Sequence, residues 1–167
     1  IVLLLIISAL CPTQAADSEQ VYRDRAEEIL QATGVRGGLI AHIGCGDGKL
    51  TAALCAEEGL LVHGLDTDAG NVRKARENLA SLGRYGSVSV SRFAGTELPY
   101  VDGLVNLAVG DHLGDVSMRE VMRVLCPGGV AYIRNGGEWS KTVKPWPEEI
   151  DEWSHYLHDP SNNAVAE

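Results

Sequence analysis

Three glycines at alternate positions, Gly44-Cys45-Gly46-Asp47-Gly48, follow the apolar run Leu39-Ile-Ala-His-Ile43, and one acid, Asp66, ends the next such run, Leu60-Leu-Val-His-Gly-Leu65. Glycines at such a turn let the backbone bend tightly and approach a ligand with no Cβ in the way. A carboxylate about 20 residues on, at the end of the neighbouring strand, can accept hydrogen bonds from ribose hydroxyls. Together they call for a nucleoside-containing ligand. The spacing is G-x-G-x-G; a dinucleotide fingerprint would need glycine where Lys49 stands, and no G-x-x-x-x-G-K-[ST] phosphate loop occurs.

Other reactive side chains point less sharply. Asp111-His112 could serve as an acid and base, or as a polar loop pair. His155-Tyr-Leu-His158-Asp159 offers two imidazoles and a carboxylate, but no further ligand cluster accompanies them, which favours a structural or interface role. Setting Cys11 aside, Cys45, Cys55 and Cys126 are odd in number and spaced for neither zinc nor a disulfide framework, so they read as free thiols. Cys45 has no base near it in sequence to make it a nucleophile. The acidic pairs Glu57-Glu58 and Glu148-Glu149 read as solvated faces.

The elements that must position these residues alternate. Asp17 to Thr33 reads as a surface helix closed by Gly34, 39–43 as a buried strand, Leu50 to Glu58 as a helix stopped by Gly59, and 60–65 as a second strand. Val72, Ala75, Leu79 and Leu82 fall at helical spacing after Asp68, a plausible cap, with Gly83 as the stop. Ser87 to Phe93 and Leu104 to Val109 are the third and fourth strands. Ser117-Met-Arg-Glu120 is a capping box opening a helix that Cys126-Pro-Gly-Gly129 ends, and Val130 to Ile133 is the fifth strand. Strands separated by helices specify a parallel sheet covered on both faces, so the fold class is doubly wound α/β, with ligands at the carboxyl ends of the strands. No helix and strand pair matching a sixth and seventh strand follows Ile133.

The chain has 167 residues, of which 45% are apolar and 22% charged, the usage of an ordinary globular domain. A net charge of −9 counts against a broad nucleic-acid surface. Nineteen glycines stand against a single Phe, which assigns unusual work to the backbone. Ile1 to Leu10 is uninterruptedly apolar yet shorter than the roughly 20 residues of a spanning helix. With small residues Thr13 and Ala15 ahead of a cut after Ala15, residues 1–15 read as the remnant of a secretory signal peptide, which implies export to the periplasm or beyond; otherwise the chain is cytoplasmic. Cys11 follows the large Leu10, against its being a lipid acceptor.

Ile43-Gly-Cys-Gly-Asp-Gly-Lys-Leu50, Gly64-Leu-Asp-Thr-Asp68, Glu97-Leu-Pro-Tyr100 and Arg119-Glu-Val-Met-Arg-Val-Leu-Cys-Pro-Gly-Gly129 resemble, in order and strand context, the motifs of class I S-adenosylmethionine-dependent methyltransferases of the type 11-like kind. The resemblance covers roughly Val21 to Arg134. It implies S-adenosylmethionine as cofactor and methyl transfer to a small-molecule acceptor that the sequence does not identify. It also implies that Gly44, Cys45 and Gly46 face the methionine part, that Asp66 holds the ribose, that Thr67 lies beside the adenine, and that Gly110 and Asp111 border the sulfonium and the acceptor. Two positions depart from the family pattern. Where the family usually has an acid two places before the first glycine, helping to hold the cofactor's amino group, this chain has His42; where an acid often reads the adenine amino group, it has Ala94. A histidine can still hydrogen-bond but gives up the charge attraction to an ammonium.

After Arg134 the composition changes, so residues 16–134 read as the methyltransferase-like domain and 135–167 as a linker. Trp139, Trp146 and Trp153 all lie there, with Pro145 and Pro147 favouring an extended path. The stretch Trp153-Ser-His-Tyr-Leu-His-Asp159 with Asn163-Ala-Val-Ala resembles the lead-in to a quinoprotein-type β-propeller of secreted bacterial proteins, which implies a following domain packed through Trp146, Trp153 and Tyr156. Two functions follow: a methyltransferase domain, or a methyltransferase-like fold kept as a binding or scaffold module of such an exported protein.

Overall fold

The computed structural model describes residues 13–55, 58–84 and 86–147. Its elements run α1 (Thr13–Thr33), β1 (Gly38–Ile43), α2 (Lys49–Leu54), β2 (Leu60–Asp66), α3 (Ala69–Ser81), β3 (Val88–Arg92), β4 (Val105–Gly110), α4 (Met118–Val124), β5 (Leu125–Asn135) and β6 (Glu138–Val143). The apolar runs set the strands because, with helices on both faces, each must bury both of its sides.

The six strands form one sheet in the order β3-β2-β1-β4-β5-β6. Strands β1 to β5 pair in parallel, and β6 returns antiparallel along β5. The order reverses between β1 and β4, which opens a crevice at their carboxyl ends. Ile40, Val62, Val88, Leu107 and Val109 bury one face against Ala26 and Ile29 of α1 and against α2 and α3. Ala41, Ile43, Leu65, Ala108 and Ile133 bury the other against Val121 and Val124 of α4. The doubly wound class read from the sequence is the observed one.

Helix starts follow the local chemistry. The carboxylate of Asp68 accepts from the Asn71 N–H at 2.9 Å and caps α3. The Ser117 hydroxyl likewise accepts from the Glu120 N–H at 3.2 Å to cap α4. Glu120 does not close the box on Ser117. It accepts the Leu98 N–H at 2.8 Å and pairs with Arg123, whose guanidinium also donates to the Tyr100 carbonyl and to Asp102. The Arg119-to-Arg123 motif thus clamps the Leu98-Pro99-Tyr100 loop onto α4. With a further bond to the Leu98 carbonyl, Arg123 ties this short helix to four residues, Leu98, Tyr100, Asp102 and Glu120.

Two expectations need correction, and the first is the helix read as Leu50 to Glu58, which ends at Leu54 with Cys55 as its C-cap. Second, the sequence showed no strand after Ile133, yet 138–143 is β6, in the stretch read as linker. Trp139 stacks on Tyr132 of β5, with ring centroids 4.8 Å apart and planes 2° from parallel. Lys141 Nζ donates to the Ala32 and Thr33 carbonyls at the end of α1, and Lys144 Nζ donates to the Leu125 carbonyl after α4. Cations are favoured at helix C-termini, where carbonyls lack partners, so the hairpin ties both helices to the sheet.

Candidate functional site

The loop from β1 to α2 brings its backbone to the crevice. Gly44, Gly46 and Gly48 have φ of 75°, 55° and 78°, a region that side chains disfavour, and a Cβ on Gly46 would meet nothing within 4 Å. At Gly46 the loop therefore presents bare backbone to open space. A Cβ on Gly48, by contrast, would stand 2.8 Å from that of Ala75, so the third glycine serves the packing of α2 on α3.

Asp66 ends β2 beside that loop and is only 6% exposed. Its Oδ2 accepts the Gly46 N–H at 3.0 Å and its Oδ1 the Asp68 N–H at 2.9 Å. The Asn71 amide donates to both oxygens at 3.3 Å. Each carboxylate oxygen has two acceptor sites, so Asp66 can retain its two backbone bonds and still accept two hydroxyls once Asn71 gives way. The sequence reading did not single out Asn71; the signal was an amide side chain in the first turn of the helix that follows Asp66.

Thr67, exposed next to Asp66, is where the backbone of Gly95 passes closely: a Cβ there would be 3.1 Å from Thr67 Cγ2. Ala94, one residue before Gly95, is exposed and carries no polar group.

His42 is buried at 3% exposure and shares a 2.8 Å hydrogen bond between its Nδ1 and the Thr51 hydroxyl of α2. Burial pushes its pKa down to about 4, so the ring is neutral. The side chain is thus engaged under the loop with α2. Cys45 is buried as well, and burial next to the Asp66 carboxylate pushes its thiol up to about 12. A protonated thiol is no nucleophile. Cys45, Cys55 and Cys126 are free cysteines.

Gly110 and Asp111 leave β4 on the other side of the crevice. Gly110 runs so close to β1 that a Cβ would be 2.6 Å from the Ile43 carbonyl oxygen. Asp111 Oδ1 accepts from Arg25 Nη2 of α1 at 2.6 Å, with Arg134 Nη1 at 3.8 Å. The Arg25 guanidinium lies 5.4 Å from the Trp139 ring centroid. The exposed His112 ring covers Gly44, its Cε1 being 3.5 Å from where a Cβ would stand. Asp111 and His112 are therefore not joined as an acid–base pair in this arrangement: the carboxylate turns to Arg25.

The structure brings His42, Gly44, Cys45, Gly46, Asp66, Thr67, Gly110 and Asp111 to the carboxyl ends of β1, β2 and β4. Arg25 and Asn71 are the additions. Two cavities lie elsewhere, one of about 530 Å³ along α3 and Arg92, the other of about 500 Å³ between Tyr22, Lys49 and Leu82; neither is lined by Gly46, Asp66 or Asp111. Among the described residues no group of three or more His, Cys, Asp or Glu could hold a metal, and no helix is long and apolar enough to cross a membrane. The His155–Asp159 cluster, Trp153, Tyr156 and the apolar run 1–10 lie outside the described residues.

Comparison with known proteins fits this geometry. A family model described as a methyltransferase domain matches residues 40–129. The chain is 30% identical over 122 residues to the ribosomal RNA small subunit methyltransferase C of Klebsiella pneumoniae, covering 69% of this chain and 34% of that protein. It is 29% identical over 114 residues to methyltransferase GfsG of Streptomyces halstedii, covering 62% and 40%. The chain thus spans well under half the length of the curated relatives it matches. Among solved structures, the [4+2]-cyclase SpnF matches with a TM-score of 0.61 at 24% identity, over 68% of this chain and 44% of that one. A geranyl diphosphate C-methyltransferase from Streptomyces coelicolor matches with a TM-score of 0.60 at 18% identity, over 71% and 47%. These structures share the fold, and one is named for a reaction other than methyl transfer.

Proposed function

Because the chain belongs to the methyltransferase domain family, we propose that it binds S-adenosylmethionine in the crevice between β1, β2 and β4 and transfers its methyl group. The observation that carries this reading is the pairing of the open backbone at Gly46 with Asp66, whose Oδ2 accepts the Gly46 N–H from the end of β2. Asp66 would hold the ribose hydroxyls, Thr67 would lie beside the adenine, and the backbone at Gly44, Cys45, Gly46 and Gly110 would line the methionine part. The cofactor supplies a methyl on a positively charged sulfur that leaves as a neutral thioether. The chain's own contribution is to fix that end of the crevice and to shield it, since orientation supplies much of the acceleration of such displacements.

A small molecule is the acceptor this site favours. A net charge of −9 disfavours a phosphate-rich partner, even though one relative is named for ribosomal RNA. A fold kept only as a binding module would rest on His42 and Ala94. The buried His42–Thr51 bond accounts for the first of these as packing, and the open loop beside Asp66 favours the enzyme. Export through residues 1–15, and packing of a following domain against Trp146, Trp153 and Tyr156, complete the proposal; of these aromatics Trp146 is described, and it is 66% exposed. Equilibrium dialysis of the full chain with labelled S-adenosylmethionine tests the reading. Saturable uptake competed by S-adenosylhomocysteine is expected, and no uptake at millimolar cofactor overturns it.

A further inference from the structure

We propose that Arg25 and Asp111 form the receptor for the α-amino acid end of the cofactor, opening their mutual ion pair so that Arg25 takes the carboxylate and Asp111 the ammonium. The inference rests on the S-adenosylmethionine reading above. His42 cannot supply the missing negative charge, being buried and bonded to Thr51. The carboxylate beside the Gly44 turn, across from Asp66, is Asp111, directly after the strand that pairs with β1.

An ion pair between a guanidinium and a carboxylate is the charge complement of an α-amino acid, whose carboxylate and ammonium are held on one carbon. The pair bridges α1 to the end of β4, and its partners are 30% and 48% exposed. A pair so open to water contributes little to stability, so exchanging it for a ligand's two charges costs little. Both partners are held in place without each other. Arg25 rests on the Trp139 face, itself stacked on Tyr132, and a guanidinium keeps such a contact as it turns. Asp111 is anchored by the close passage of Gly110 along β1, and Arg134 stays near it with its Nε donating to the Gly137 carbonyl. Arg25 and Trp139 come from segments outside the motifs of the sequence, which makes α1 and β6 part of the site.

Titration calorimetry of the full chain with two ligands tests this. S-adenosylhomocysteine carries the amino acid end; methylthioadenosine carries the same nucleoside and thioether without it. Arg25→Gln and Asp111→Asn are each expected to weaken S-adenosylhomocysteine about tenfold or more, the loss typical of a charged hydrogen-bond partner, and to leave methylthioadenosine within about twofold. Equal weakening of both ligands, or no weakening of either, overturns the assignment. Wild-type protein that binds neither ligand overturns the cofactor reading itself, and the assignment with it. Circular dichroism melts of the variants confirm that the fold is intact.

Discussion

The imidazole of His42 stays uncharged inside the fold, and stability must record that. Its pKa falls from 6.5 when exposed to about 4 when buried, so between these values the unfolded chain takes up a proton that the folded chain refuses. Protons favour the unfolded state there, and stability drops as pH falls from 6.5 toward 4. Against His42→Leu, which has nothing to titrate, the wild type should lose about 2 kcal/mol more between neutral pH and about pH 5. Urea denaturation of both proteins across that range reads the difference, and parallel curves would refute it. The sequence disclosed that His42 departs from the family pattern but not where its side chain goes. A ring two residues before a glycine turn can face either side of the sheet's edge, and only the position of Thr51 decides. Asp66 was legible because strand ends in a doubly wound sheet are fixed by the apolar runs. Asn71 and Arg25 were not, since their roles depend on partners that no local pattern announces.

At the scale of elements, the motif helix α4 and the hairpin β5–β6 hold the frame of the site. Glu120 accepts the Leu98 N–H and binds Arg123, so Glu120→Ala leaves a half-buried donor unpaired and releases the loop. A loss of about 1–3 kcal/mol in unfolding free energy is expected. Glu120→Gln, which keeps an acceptor for Leu98, should recover part of it; equal losses in the two variants would count against the clamp. The capping box was readable at Ser117, and its reciprocal half was not, because Arg123 and the Leu98 amide compete for the same carboxylate. The strand β6 escaped sequence reading for another reason. Glu138 to Val143 is an edge strand with half-exposed residues and carries no apolar run. Lys141 and Lys144 look like surface charge in sequence, and their partners are the carbonyls that end α1 and α4.

For the whole molecule, the order of glycine loop, acid and helices in one chain already specified the sheet and the side of it where the glycine loop and Asp66 meet. It did not specify what encloses that side. Arg25 of α1 reaches Asp111 at the end of β4, and Trp139 of β6 lies against the Arg25 guanidinium. The proposed role of this crevice is to hold an S-adenosyl group by its ribose. Asp66→Ala tests it most directly, with Asp66→Asn to keep the Gly46 and Asp68 amides partnered and separate binding from folding. In calorimetric titration with S-adenosylhomocysteine, the wild type should bind in a single class of sites, Asp66→Asn should bind at least about tenfold more weakly, and Asp66→Ala should show no heat of binding. Undiminished affinity in both folded variants would contradict the account.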